Sequence, residues 1–149
     1  PQVRATPHKI TVNCLPGLVM DSYPGSLAQV MTQLVMNALG HAFHGLEGRA
    51  GQVTISADMA DGDWVELRFA DDGRGIPPDI QPKVFEPFFT TQRASGAVGL
   101  GLHITFNIVN RTLGGRIAVE SRDGEGTTFV LHLPVSAPYE PNPVLAPIH

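Results

Sequence analysis

The sequence predicts an α+β fold, a two-layer α/β sandwich whose mixed, mostly antiparallel sheet carries helices on one face. Three observations lead there. Two pairs of alternating, β-rich runs (52–58 with 64–70, and 116–121 with 127–133) are each joined by a short glycine-bearing turn. Two longer stretches, opening at Leu27 and Gly99, carry apolar residues at spacings of three and four. The alternating strands present one apolar face, and the two amphipathic helices supply the layer that covers it.

Taken in order, Lys9–Asn13 (KITVN) is β-branched and alternating, an edge strand, and Gly17–Asp21 is expected as a second short one. Pro24-Gly25-Ser26 makes a turn, with Ser26 the expected N-cap of a helix over Leu27–Phe43. Leu27, Val30, Met31, Leu34, Val35, Ala38, Ala42 and Phe43 form its apolar stripe, and Asn37 falls within that stripe. An unpaired amide there costs about 1–3 kcal/mol. Asn37 is therefore either a satisfied core asparagine or a group facing a ligand cavity. Residues 45–51 read as a loop. Gln52–Asp58 and Trp64–Ala70 form a hairpin through Ala60-Asp61-Gly62-Asp63 and run into Asp71-Asp72-Gly73-Arg74-Gly75-Ile76-Pro77-Pro78. Two glycines spaced by one residue after a strand allow close backbone approach to another group. Ile80–Glu86 reads as a short helix, and Gln92–Val98 is polar and small. Leu102, Phe106, Val109 and Leu113 are in register on the second helix, which Gly114-Gly115 stops. Arg116–Ser121 and Thr127–Leu133 close the fold as a hairpin around Asp123-Gly124-Glu125-Gly126. Five prolines among the sixteen residues from Pro134 argue against further regular structure, so residues 1–134 are expected as one domain and 135–149 as a tail.

The bulk composition narrows the function classes. A chain of 149 residues suits one domain, and a net charge of −4 with only two lysines, Lys9 and Lys83, argues against a nucleic-acid surface. A single cysteine, Cys14, allows neither an internal disulfide nor a cysteine zinc site and points to a reducing compartment. No apolar run approaches the length of a membrane span. The start at Pro1 rather than Met points to a segment of a longer protein.

Chemistry concentrates where polar or glycine residues interrupt apolar elements: Asn37, the Asp71–Gly75 turn, and Gly96–Gly101 before the second helix. Glycines ahead of a helix leave backbone N–H groups and a partial positive charge free for an anion such as phosphate. Taken together, from about Lys9 to Pro134, the sequence resembles the ATP-binding catalytic domain of bacterial sensor histidine kinases, in the Bergerat-fold ATPase superfamily. Gln29–Phe43 is similar to the N box, Asp71–Gly75 to the first glycine box, Phe85–Phe89 to the F box, Gly99–Leu102 to the second glycine box and Gly124–Thr127 to the last glycine-threonine motif.

The resemblance implies a site for ATP and Mg²⁺. Asn37, with Ala38 beside it, would hold Mg²⁺ through its amide oxygen. Asp71 would accept a hydrogen bond from the adenine amino group. Gly73, Gly75 and Ile76 would let the backbone fold against the nucleotide, and Thr127 would support the adenine end. Gly99, Leu100, Gly101 and Leu102 would offer phosphate-binding amides, and the segment from Phe85 through Phe88 to Val98 would form a mobile ATP lid. His41 and Arg93 are candidate phosphate contacts; a histidine on the surface or packed behind the site, and a solvated loop arginine, are the competing readings. Gln33, Gln92 and Ala97-Val98 depart from the kinase pattern at positions bearing on phosphate binding and the lid.

Gln33 also bears on the branch. The hydrolysing relatives carry a glutamate four residues before the metal-binding asparagine, whereas glutamine has no carboxylate with which to activate water. The implied activity is γ-phosphoryl transfer to a histidine on a separate dimerisation domain of the same protein, with a response regulator receiver domain as the next partner. The alternative is a degenerate nucleotide-binding or protein-docking module. None of His8, His41, His44, His103, His132 or His149 has the helical, acid-flanked setting of an acceptor. A cytoplasmic domain that touches neither membrane nor nucleic acid is implied, with the membrane anchoring of its parent left open. Replacing Asn37 by Ala or Asp is expected to abolish Mg²⁺-dependent ATP binding while the fold persists; calorimetry with unchanged Mg·ATP affinity would remove the metal role.

Overall fold

A computed structural model describes residues 9–14, 16–39, 51–87, 101–122 and 124–137. Five strands form one sheet in the order β1-β2-β3-β5-β4. They are β1 (Lys9–Cys14), β2 (Gln52–Met59), β3 (Trp64–Asp71), β4 (Arg116–Ser121) and β5 (Thr127–Pro134). Among these five described strands β1 pairs in parallel with β2, and the other three pairings are antiparallel. The sheet is mixed and mostly antiparallel, as its alternating sequence requires. The β2–β3 hairpin closes where the Ala60 N–H donates to the Trp64 carbonyl at 2.8 Å, with Gly62 at a φ of 66° that a side chain would resist.

Helix α1 (Pro24–Asn37) and helix α2 (Gly101–Asn107) cover one face. Period-two alternation sends Val65, Leu67, Phe69 and Asp71 of β3 to that face, and Phe129, Leu131 and Leu133 of β5 beside them. Of these, Leu67, Phe69, Phe129, Leu131 and Leu133 join Val30, Leu34 and Ala38 of α1 and Val109 and Leu113 at the turn after α2 in a continuous apolar core. The opposite face is polar: Arg68 Nε donates to Glu66 Oε1 at 2.7 Å, and His132 Nε2 lies 3.2 Å from Glu66 Oε2. These hydrogen bonds, from Arg68 first, hold the Glu66 carboxyl below its ordinary range.

Several expectations are corrected. The first helix starts at Pro24 with Tyr23 as N-cap, and Ser26 lies inside it. Proline suits the first helical position because its missing N–H would have no helical partner there. Past Asn37 the winding loosens to a π turn at Ala38–Leu39; Ala42 and Phe43 of the expected stripe lie outside the described residues. Gly17–Asp21 forms no strand. Gly17 takes a φ of 79°, and Asp21 alone bridges in parallel to Ser136. The expected helix at Ile80–Glu86 is one 3₁₀ turn, Gln81–Lys83. The second long helix is α for seven residues, then π over Ile108–Thr112. Beyond β5 the backbone stays engaged: Val135 N–H donates to the Asp63 carbonyl, and Ala137 N–H to that of Asp21.

Leu131 is fully buried at the centre of the sheet. Leu131→Ala is expected to cost about 2–5 kcal/mol of unfolding free energy through lost burial and a residual cavity; a urea midpoint unchanged from the parent would contradict this core.

Candidate functional site

The site is assembled at one end of the sheet, on the face the helices cover. Register aligns Val53, Asp71, Thr127 and Ser121 across β2, β3, β5 and β4. Asp71 closes β3 as its last inward residue, only 8% exposed. The chain turns immediately afterwards, and the Gly73 N–H donates back to Asp71 Oδ1 at 2.9 Å. The other carboxyl oxygen, Oδ2, is buried and has no hydrogen-bond partner among the described residues. Burial pushes the Asp71 carboxyl up to about 6, opposed by the backbone N–H groups of Gly73 and Thr127 and reinforced by the charge of Asp72. A buried acceptor without a donor is a costly feature for a fold to retain, and it is complementary to a ligand N–H.

The loop after Asp71 is pinned to the β4–β5 hairpin. Gly75 has a φ of 76°, and a Cβ there would overlap the Arg122 carbonyl. A Cβ at Gly126 would meet the Asp71 carbonyl, so both glycines are needed for close approach. The Ile76 N–H donates to Ser121 Oγ at 2.8 Å, while Gln81 Nε2 donates to the carbonyls of Ile76 and Ser121, each at 2.8 Å. Asp71, Gln81, Ser121, Arg122, Gly126 and Thr127 line a cleft of about 630 Å³.

The structure therefore brings together Asp71, Gly73, Gly75, Ile76 and Thr127. Asn37 and Ala38 end α1; Asn37 is half-buried on the flank of the apolar stripe, and Ala38 is wholly inside the core. Gln33 lies one turn before Asn37 on the same helical face. That face meets the start of α2, where a Cβ on Gly101 would lie 2.6 Å from Gln33 Oε1. Leu102 packs against the core. His41, Phe88, Arg93, Gly99 and Leu100 lie outside the described residues. Phe85, expected to begin the lid, is instead anchored. Its ring packs 5.4 Å from that of Phe106 and 6.2 Å from that of Phe129, and His103 Nδ1 lies 3.1 Å from its carbonyl oxygen. Gln81 and Ser121 were missed by sequence reasoning. The register of the expected hairpin, which sets Ser121 opposite Thr127, was the available signal for Ser121; Gln81 had none.

A family profile described as "Histidine kinase-, DNA gyrase B-, and HSP90-like ATPase" matches residues 23–137. The chain belongs to this ATPase family. Among curated relatives of this ATPase domain, the two-component sensor PprA of Pseudomonas aeruginosa is 34% identical over 138 residues, covering 89% of this chain and 15% of PprA. The sensor histidine kinase ZraS of Salmonella typhi is 41% identical over 114 residues, covering 76% of this chain and 23% of ZraS. The chain thus spans less than a quarter of the length of these relatives. The catalytic domain of histidine kinase ThkA superposes with a TM-score of 0.74 at 26% identity, covering 92% of this chain and 86% of that one. The mycobacterial sensor histidine kinase MprB does so with 0.73 at 27%, covering 89% and 85%. The Bergerat-type sandwich is therefore the fold. Among the described residues no helix is long and apolar enough to cross a membrane, and no cluster of three His, Cys, Asp or Glu could hold a metal.

The raised Asp71 carboxyl has a consequence for stability. Between pH 3.8 and about 6 the folded chain holds a proton that the unfolded chain has released, so this group makes stability fall as pH rises through that window. Asp71→Asn is expected to remove that slope, a difference on the order of 2–3 kcal/mol across the window. Parallel pH profiles of urea unfolding for parent and variant would rule out the buried carboxylate.

Proposed function

We propose that this domain binds Mg·ATP and presents its γ-phosphoryl group to a histidine on a separate helical dimerisation domain of the same protein. The phosphoryl would then pass to a response regulator receiver domain. The observation that carries the reading is Asp71, which lines a glycine-bordered cleft and whose Oδ2 has no partner among the described residues, an acceptor complementary to an adenine amino group. A 6-carbonyl at that position would face a carboxylate and be rejected.

Asn37 fits a metal role by its chemistry: a neutral amide oxygen on a half-buried residue, one turn after Gln33, whose side chain lies against Gly101 at the start of α2. Mg²⁺ favours hard oxygen ligands and keeps several waters, so one protein ligand with the ATP phosphates suffices. Bound there, the ion would neutralise charge on the phosphates. Gly101 and its neighbours would supply backbone amides to the same groups.

Gln33 supports transfer over hydrolysis. Its amide lies against Gly101, where a glutamate would be needed to take a proton from water, and an amide cannot act as that base. The described histidines are engaged elsewhere: His103 with Phe85 and Asn107, and His132 on a strand beside Glu66. Neither is an acceptor in a helical domain, which agrees with an acceptor supplied from outside this chain. A solved complex of ThkA with the response regulator protein TrrA, matching at a TM-score of 0.70 and 26% identity, supports the proposed partner class.

With γ-labelled ATP, the domain alone is expected to remain unlabelled, to release little phosphate, and to label the helical histidine domain of its parent protein when that is added. Steady phosphate release by the isolated domain, with no labelling of the helical domain, would replace the kinase reading by a hydrolase. Equal binding of ATP and GTP would remove the role given to Asp71, whose replacement by Asn should weaken adenine selectivity by about 1–3 kcal/mol.

A further inference from the structure

Ser121 lies on the strand neighbouring Thr127, and its hydroxyl has three polar neighbours. The Ile76 N–H donates to Ser121 Oγ at 2.8 Å, the Gly126 carbonyl oxygen lies 2.7 Å away, and Thr127 Oγ1 lies 2.9 Å away. A serine hydroxyl has one proton and two lone pairs. The Ile76 amide can only donate, so it occupies one lone pair. The Gly126 carbonyl can only accept, so it takes the proton. The remaining lone pair can meet Thr127 only if Thr127 is the donor. All three contacts are hydrogen bonds in this arrangement alone. Reversing the Ser121–Thr127 bond would leave the Gly126 carbonyl without its serine donor.

We infer that Ser121 fixes the direction of the Thr127 hydroxyl, so that Thr127 turns its proton away from the cleft and offers the ligand only lone pairs. With Asp71 Oδ2 in the same cross-strand row, the Asp71–Thr127 pair then presents two acceptors side by side. Such a pair favours a base edge bearing an exocyclic amino group over one bearing a carbonyl. Ser121 is thus a positioning residue for base specificity, acting through Thr127, while Ile76 and Gln81 hold Ser121 and the loop after Asp71 in register. The inference rests on adenine binding at Asp71 and adds to it the residue that orients the second acceptor.

The test compares ATP with inosine triphosphate, which carries a carbonyl where ATP carries the amino group, by calorimetry on the parent chain, Ser121→Ala and Ser121→Thr. In Ser121→Ala the Thr127 hydroxyl is free to turn and donate. The preference for ATP is expected to narrow about fivefold to tenfold, the size of one hydrogen bond. Ser121→Thr keeps a hydroxyl and should retain the parental ratio. Loss of affinity for both nucleotides by the same factor would make Ser121 purely structural and overturn the inference. A parent chain that does not distinguish the two would instead overturn adenine recognition at Asp71. Should the alanine variant fail to fold, proton NMR of the parent decides. A Thr127 hydroxyl proton with cross-peaks to the Ser121 β protons supports the inference, and a Ser121 hydroxyl proton directed at the Thr127 side chain overturns it.

Discussion

The burial of one carboxylate at the end of β3 organises the rest of this domain. Asp71 faces the same layer as Phe69 and Leu67, but it is the last residue of the strand, so the chain can turn at once and return the Gly73 amide to one of its oxygens. That hydrogen bond offsets part of the desolvation cost and leaves the second oxygen unmet. Around it the backbone is packed closely enough that Gly75 and Gly126 have no room for a side chain. Such a site is less stable empty than an apolar one would be, which is the usual trade between stability and a preformed polar recognition group.

The two faces of the sheet divide the remaining work. The helix-covered face holds the core and, at its rim, the cleft. The open face carries Arg68 in exposed ionic contacts with Glu66 and Glu120, and His132 beside Glu66, contacts that contribute solubility more than stability. Both helices depart from α geometry on their C-terminal side, at Ala38–Leu39 and over Ile108–Thr112. Widened turns of this kind are frequent near functional sites. The first follows Asn37 directly. The second carries Val109 into the core and lets the Gly115 N–H reach the Val109 carbonyl, closing the helix onto β4. Phe85, packed between Phe106 and Phe129, gives the chain a fixed point ahead of the segment that leads to α2.

Strands β2 to β5 were legible to within a residue because β2, β3 and β4 alternate in sequence, β5 is rich in β-branched and apolar residues, and each hairpin is marked by glycine and aspartate in its connecting turn. Asp71, Gly73, Gly75 and Thr127 were singled out through the resemblance to the kinase motifs, and strand register and the Gly73–Asp71 hydrogen bond bring them together. The misses have local causes. Ser26 has the composition of a cap, but Pro24 begins the helix earlier, and proline at the first helical position outweighs a serine two residues on. Gly17–Asp21 has an alternating look, yet Gly17 turns the chain at a φ of 79°, and pairing is confined to Asp21, which bonds the Val135 carbonyl and the Ala137 N–H.

By itself, then, the sequence determined the layers, the strand partners in each hairpin and the family, because these follow from periodicity, turn residues and the order of short motifs. Only the tertiary structure decided which polar groups far apart in the chain meet: that Asp71 Oδ2 has no partner among the described residues, that Gln81 bridges Ile76 to Ser121, and that Ser121 Oγ lies between the Ile76 N–H, the Gly126 carbonyl and Thr127 Oγ1. Hydrogen-bond direction depends on every neighbour of a group at once, and those neighbours are set by the packing of separate strands and loops, which no local pattern in the chain encodes.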